Sequence, residues 1–182
     1  MCKSLNFVLF FALIGAALSF DKNIKVSHLA GCREIVLDGK NSNTLQTPIS
    51  SLSNNNALSN EVLRMRFFGL DFDFYIFLKG SATANSYHRA VISGWGRKLC
   101  AIQALNFSTN LAEINCEGLQ DEFYYSEFTL VITKDGQIQF YKSKDTKPFM
   151  SIQVNYSLPY ISFGKFNDGR KARVLFDCPR DI

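Results

Sequence analysis

The sequence predicts an all-β fold, an antiparallel sandwich of about ten strands with a jelly-roll-like arrangement. Three observations support this prediction. Apolar and polar side chains alternate with a period of two residues between 71 and 78, an Asp-Gly turn separates two further alternating segments, and no stretch of ten or more residues carries a helical stripe. We therefore expect two facing layers of strands.

The alternating segment predicts a strand with one apolar face. Successive side chains of a strand point to opposite faces, so this segment divides into two rows. One row is apolar and needs cover from a second layer: Phe72, Phe74, Ile76 and Leu78. The other row is mixed: Asp71, Asp73, Tyr75 and Phe77.

A β-hairpin is predicted around the turn Lys134-Asp135-Gly136. Asp-Gly between alternating segments is a strong hairpin signal, and the flanking segments are Phe128 to Thr133 and Gln137 to Tyr141. Other short strands are separated by Gly, Ser and Asn: Glu34 to Asp38, Val62 to Phe68, Tyr87 to Ser93, Lys98 to Leu105, Ala112 to Glu117, Phe149 to Val154, Tyr160 to Gly164 and Lys171 to Asp177.

Composition indicates one globular domain. The chain has 182 residues, of which 47% are hydrophobic and 17 are Phe, and this is enough to build a core. Its formal charge of +4 is too small to indicate nucleic-acid binding.

The first residues are typical of a signal peptide. Lys3 precedes an apolar run from Phe7 to Leu18, and Ala17-Leu18-Ser19 resembles a cleavage site. We expect cleavage after Ser19 and secretion of a soluble protein, because the run is shorter than the ~20 residues that span a membrane. The alternative is a buried N-terminal strand. The expected organisation is a signal peptide at 1–19, an N-terminal strand with an Asn/Ser-rich connection at 20–60, and the sandwich at 61–179.

Four cysteines remain after the leader: Cys32, Cys100, Cys116 and Cys178. An even number in an oxidising compartment favours disulfides, and four cysteines allow three pairings. We favour Cys100 with Cys116, at the ends of successive strands, and Cys32 with Cys178, near the two termini. Zinc is the alternative, but the sequence has no Cys-x-x-Cys spacing. No metal site is therefore expected.

Two sequons, at Asn106 and Asn155, predict a glycoprotein. Each would place its asparagine near the surface.

The sequence gives little support for a catalytic site. The chain has no Gly-x-Gly-x-x-Gly motif, and Gly94 and Gly96 are better interpreted as a tight turn, so no cofactor is expected. Asp71 and Asp73 would share a strand face, but such carboxylates usually form a solvated face or pair with neighbouring arginines, here Arg64, Arg66 or Arg89. His88 could act as a base for Ser86 or Ser93, although no nucleophile elbow is present. We predict no catalytic residues.

Binding residues are easier to nominate. Trp95 is the only Trp, and Arg97 follows it in a predicted loop, where an aromatic ring beside a cation can stack on a sugar or hold an anion. Tyr124 and Tyr125 form a second candidate site in another loop. The alternative for Trp95 is that it covers one end of the sandwich. The expected ligand is a glycan or a small apolar or anionic molecule.

The order of several segments resembles the farnesoic acid O-methyltransferase domain family of arthropods, from about Leu63 to Pro179. These segments are Asp-Phe-Tyr-Ile-Phe-Leu, Tyr-x-x-x-Val-Ile-x-Gly-Trp, Phe-x-Leu-x-Ile-x-Lys-Asp-Gly-x-Ile, Ile-x-Phe-Gly and Ala-x-Val-x-Phe-Asp-Cys. The resemblance implies an all-β sandwich. It also implies methyl transfer from S-adenosylmethionine to farnesoic acid in juvenile hormone synthesis.

Three functions follow from these observations. The first is a secreted, non-catalytic recognition module for carbohydrate or another surface ligand. The second is a structural or partner-binding extracellular protein. The third is the methyltransferase that the resemblance implies. We rank them in that order, because the leader directs the chain away from intracellular metabolism and the sequence lacks a cofactor motif.

Overall fold

The structure is a computed structural model that describes residues 29–38, 46–70, 73–83, 87–104, 107–120, 123–166 and 169–179. Several predicted features lie outside these residues: the signal peptide with its cleavage site at Ser19, the sequon asparagine Asn106, Asp71, Phe72 and Ser86. For these the sequence-based predictions stand as predictions.

Within the described residues the chain forms twelve strands rather than the ten expected. They are β1 (Arg33–Leu37), β2 (Thr47–Pro48), β3 (Glu61–Leu70), β4 (Phe74–Lys79), β5 (Tyr87–Ser93), β6 (Leu99–Gln103), β7 (Asn110–Asn115), β8 (Ser126–Thr133), β9 (Gln137–Lys142), β10 (Met150–Gln153), β11 (Tyr160–Gly164) and β12 (Ala172–Phe176). A 3₁₀ turn, Ile49–Ser51, follows β2.

The strands form two six-stranded sheets. Sheet 1 has the order β1-β12-β3-β8-β9-β10, and sheet 2 has the order β2-β11-β4-β5-β6-β7. Every pairing between these strands is antiparallel. The predicted antiparallel β-sandwich is therefore confirmed.

The core lies between the sheets and is rich in phenylalanine. Phe74, Ile76 and Leu78 of β4 are completely buried in it, as the alternation of that segment predicts. Phe67 of sheet 1 packs edge-on against Phe74 at 6.1 Å and stacks on Phe128 at 5.4 Å between ring centroids. The Phe67–Phe74 contact joins the two sheets, whereas Phe67 and Phe128 are both in sheet 1. Such aromatic pairs add to the free energy of apolar burial.

The predicted hairpin joins β8 to β9. The N–H of Gly136 donates to the carbonyl of Thr133 at 3.1 Å, and Gly136 has a φ of +90°. A Cβ at this position would lie 2.1 Å from the carbonyl oxygen of Val154. Only glycine fits both requirements, because it has no Cβ and tolerates positive φ.

Chain before residue 61 contributes to both sheets. β1 pairs with β12 in sheet 1, and the two-residue β2 pairs with β11 in sheet 2. The sequence predicts at most one short extended piece in the Asn/Ser-rich connection, near Leu45, which lies outside the described residues. β2 begins two residues later, at Thr47–Pro48, and is too short to show a periodic pattern.

Both disulfides have the pairing that the sequence favoured. Cys32 is bonded to Cys178 across 146 residues, and Cys100 is bonded to Cys116 across 16 residues. The first joins the chain ahead of β1 to the chain after β12. The second joins β6 to the residue after β7.

The described residues contain only short helical segments. Their helical segments are too short to traverse a bilayer. They also contain no group of three or more His, Cys, Asp or Glu side chains placed to hold a metal ion.

Candidate functional site

One end of sheet 2 gathers residues that are distant in sequence. Because the strands are antiparallel, the start of β4 lies beside the end of β5 and the end of β11. Phe74 is paired with Ile92, and Tyr75 is paired with Gly164. The segments that follow β5 and β11 therefore emerge at the same edge.

These segments enclose a cavity of about 520 Å³, here called the end cavity. Its volume is in the range of small-molecule sites. The lining residues are Asp73, Tyr75, Arg89, Val91, Ser93, Gly94, Trp95, Gly96, Arg97, Phe166 and Arg170.

A left-handed turn between β5 and β6 forms one wall of the end cavity. Ser93, Trp95 and Arg97 have φ values of 57°, 52° and 69°. Gly96, at 71°, is a residue for which this region is normal. The N–H of Lys98 closes the turn on the carbonyl of Gly94 at 3.1 Å. The predicted tight turn is therefore present. Positive φ is unfavourable for bulky residues, and such strained backbone is found most often at functional sites.

Trp95 and Arg97 both line the end cavity, so the structure brings this predicted pair to one concave surface. The side chain of Trp95 is 55% exposed, which leaves much of its indole ring accessible. Ring area of this kind is suited to stacking on a planar or ring-shaped ligand.

The second predicted pair lies elsewhere. Tyr124 and Tyr125 precede β8 and are not among the residues that line the end cavity. Tyr125 packs against a small apolar cluster of Phe68, Leu175 and Cys178, whereas Tyr124 is 47% exposed. Tyr125 therefore packs against sheet 1, whereas the end cavity lies at one end of sheet 2.

Arg89 is a cavity residue that we did not nominate as a ligand-binding side chain. Its guanidinium carbon lies 4.7 Å from the ring centroid of Tyr75 and 4.2 Å from that of Phe107. Its Nε donates to Oε1 of Gln103 at 2.7 Å. Two cation–π contacts and a hydrogen bond hold the guanidinium in one orientation.

The outer face of sheet 2 continues from the end cavity as a row of aromatic rings. Tyr75 contacts Phe77 at 6.1 Å, Phe77 contacts Tyr87 at 4.9 Å, and Tyr87 contacts Phe107 at 5.0 Å between centroids. The Nζ of Lys79 lies 4.6 Å from the ring centroid of Tyr87, and burial lowers the pKa of Lys79. Lys79 and Arg89 therefore each contact rings of this row.

His88 and Ser93 cannot form a catalytic pair. The two positions are an odd number of residues apart on β5, so their side chains point to opposite faces of the strand. His88 Nδ1 instead forms a hydrogen bond with the hydroxyl of Tyr156, and the two rings stack at 5.6 Å. Burial lowers the pKa of His88 and raises the pKa of Tyr156.

Other predicted residues have clear locations. Asn155 lies between β10 and β11 and is exposed together with Tyr156 and Ser157.

Arg64 and Arg66, considered as partners for aspartates, form ion pairs with glutamates: Arg64 with Glu61, and Arg66 with Glu127 at 2.6 Å.

The family comparison agrees with the motif order in the strands described above. The family model for farnesoic acid O-methyl transferase matches residues 46–180, which is most of the chain. The chain belongs to this farnesoic acid O-methyltransferase family. The match begins just before β2, so it includes most of the sandwich.

Comparison with curated proteins gave no match. Among solved structures, galectin LEC-6 of Caenorhabditis elegans is 12% identical, with a TM-score of 0.48 over 79% of this chain and 92% of the galectin. A native glycosidic hydrolase is 13% identical, with a TM-score of 0.44 over 64% of this chain and 63% of the hydrolase. Sheep galectin-11 in complex with glycerol is 12% identical, with a TM-score of 0.40 over 72% and 97%. Scores this low carry no functional conclusion.

The name of the farnesoic acid O-methyltransferase family implies S-adenosylmethionine as a methyl donor. The described residues do not fit this group. Both sheets are antiparallel, whereas cofactor-binding crossovers join parallel strands. Among the described residues that line the end cavity, Arg89, Arg97 and Arg170 outnumber the single carboxylate of Asp73. These guanidinium groups would attract the carboxylate of the donor but repel its sulfonium cation, which is the reacting group.

Proposed function

We propose that this family member is a secreted, non-catalytic recognition module that binds carbohydrate in the end cavity. The observation that carries the proposal is the half-exposed Trp95, held on a strained turn at a concave surface. A rigid sandwich with a binding site on its connecting segments is a common arrangement for recognition.

Aromatic rings supply the chemistry for binding sugars. Trp95, Tyr75 and Phe166 line the same cavity, and Phe166 is 63% exposed. The apolar face of a pyranose ring can stack on such rings, while neighbouring polar groups bind its hydroxyls. Three rings around one cavity favour a ring-shaped ligand.

Disulfides support the extracellular part of the proposal. Cys32–Cys178 and Cys100–Cys116 are the kind of bonds that persist in oxidising compartments.

Expression of the full chain in cultured eukaryotic cells tests secretion directly. We expect the protein in the medium, an N-terminus that begins after Ser19, and a loss of mass on deglycosylation that is reduced in Asn155→Gln. Retention in the cytosol would contradict the proposal.

A glycan array tests binding. The purified secreted protein is expected to bind a defined subset of glycans, and Trp95→Ala is expected to lose that binding. Tyr124→Ala is the matched control, because Tyr124 is an exposed aromatic residue that does not line the end cavity. If folded protein binds no glycan, or if Trp95→Ala and Tyr124→Ala behave alike, the proposal is wrong.

A further inference from the structure

The charges of the end cavity indicate which carbohydrates it would accept. Three guanidinium groups line it, from Arg89, Arg97 and Arg170, and Asp73 is the one carboxylate among its described lining residues. A neutral sugar gains little from such an excess of positive charge. A negatively charged ligand gains both Coulomb attraction and charge-assisted hydrogen bonds.

A relay of amide side chains fixes the orientation of Arg89. Nε of Arg89 donates to Oε1 of Gln103 at 2.7 Å, Nε2 of Gln103 donates to Oδ1 of Asn110 at 3.0 Å, and Nδ2 of Asn110 donates to Glu113. The direction of donation is determined at both ends, because a guanidinium can only donate and a carboxylate can only accept. The relay crosses β5, β6 and β7 and uses only one N–H of Arg89.

The remaining N–H groups of Arg89 are left for a ligand. Gln103 is the one hydrogen-bond acceptor of this guanidinium within the described part of the chain. The rings of Tyr75 and Phe107 hold the group at 4.7 Å and 4.2 Å from their centroids. A guanidinium that is already ordered loses less conformational entropy when it forms a bidentate contact with an anion.

Resting on the carbohydrate-binding function proposed above, we infer that the end cavity selects acidic saccharides. The anionic group of the sugar, a carboxylate or a sulfate, binds the Nη groups of Arg89. The sugar ring stacks on Trp95, and Arg97 and Arg170 contribute further positive charge. Neutral saccharides of the same shape bind more weakly.

Calorimetry with two matched probes tests the inference. Trigalacturonate carries carboxylates, and its fully methyl-esterified form keeps the same rings without the charge. We expect the acid to bind at least about tenfold more tightly than the ester, since hydrogen bonds between charged groups are stronger than neutral ones. Added salt should weaken binding of the acid and leave binding of the ester nearly unchanged. A sulfated galactose trisaccharide shows whether sulfate replaces the carboxylate.

Variants assign the effect to residues. Arg89→Gln is expected to remove the preference for the acid and to retain weak binding of the ester, whereas Trp95→Ala loses both probes. Because Arg89 also supports two rings, near-ultraviolet circular dichroism is used to check its fold. Arg170→Gln changes an exposed cavity residue and should reduce the preference without disturbing the fold.

The outcomes separate the two proposals. Equal affinity for acid and ester would overturn selection of acidic sugars and leave carbohydrate binding intact. Undetectable binding of every saccharide would overturn both. If Arg89→Gln and Arg170→Gln both keep the wild-type preference for the acid over the ester, the inference is overturned as well.

Discussion

The carboxylate of Asp177 accepts a hydrogen bond of 2.7 Å from the backbone N–H of Asn54, 123 residues earlier in the chain. It also accepts one of 2.9 Å from the N–H of Ser53, and Nδ2 of Asn54 donates to the carbonyl of Asp177 at 2.6 Å. Asp177 is only 1% exposed. This buried carboxylate anchors the chain between the 3₁₀ turn and β3 to the end of β12.

Asp177→Ala is expected to lower the free energy of unfolding by about 2–3 kcal/mol, because two backbone N–H groups lose a charged acceptor. Urea unfolding measures the change. Asp145→Ala, at an exposed position, is the control and should change stability by less than about 0.5 kcal/mol. Equal effects of the two substitutions would contradict the anchoring role.

Gly136→Ala is expected to cost about 3 kcal/mol, since its new Cβ would lie 2.1 Å from the carbonyl oxygen of Val154 at a φ of +90°. Gly118 has a similar φ of +76°, but a Cβ added there would meet no atom within 4 Å. Gly118→Ala should therefore cost only about 1 kcal/mol, from backbone strain alone. Thermal unfolding of both variants checks the difference; a similar loss in each would show that the Val154 contact relaxes easily.

Removal of the Cys32–Cys178 disulfide should destabilise the protein more than removal of Cys100–Cys116. The closed loops span 146 and 16 residues, and the entropy of a longer loop in the unfolded chain gives a difference of about 2 kcal/mol. Paired Cys→Ala variants measured by denaturant unfolding test this order. The reverse order would show that residual structure in the unfolded chain outweighs loop entropy.

Trp95→Gly is expected to be more stable than Trp95→Ala by about 1 kcal/mol, because glycine adopts a φ of 52° without strain. Both variants lack the indole ring, so both should lose glycan binding. Higher stability of Trp95→Gly, together with loss of binding in both variants, would show that the conformation which presents the indole ring is strained. If Trp95→Ala is the more stable variant, the turn is not strained.

Stability should decrease as pH falls below about 6.5, the ordinary pKa of histidine, because burial lowers the pKa of His88 in the folded protein. Between the lowered folded pKa and this value the unfolded chain binds more protons, so acidification favours unfolding; below the folded pKa this contribution stops changing. Urea unfolding over this range, compared between wild type and His88→Gln, measures the effect. A histidine titration above 6.5 for His88 in NMR spectra would contradict it.

Strand positions were largely predictable, because apolar and polar residues alternate where one face of a strand is buried. Phe74, Ile76 and Leu78 occupy the core as expected, and the bounds of β5 and β11 agree with the prediction, since breaks in the pattern flank both. The two-residue β2 was expected only as a short extended piece near Leu45, because a pattern of period two cannot be recognised in two residues.

The end cavity was only partly predictable. Trp95 and Arg97 are neighbours in sequence and were nominated together. Phe166 and Arg170 join them only because β11 lies beside β4, and the order of strands in a sheet is a long-range property that local patterns do not encode. Tyr124 and Tyr125 were nominated by loop composition, which does not indicate the side of the sandwich to which a loop belongs.

The Cys32–Cys178 bond also determines how the sandwich would respond to mechanical load. A force that pulls on the chain before Cys32 and after Cys178 passes through the covalent link between them, so β1 to β12 are bypassed. Tension applied at these two ends would leave the end cavity undeformed until that sulfur–sulfur bond is reduced.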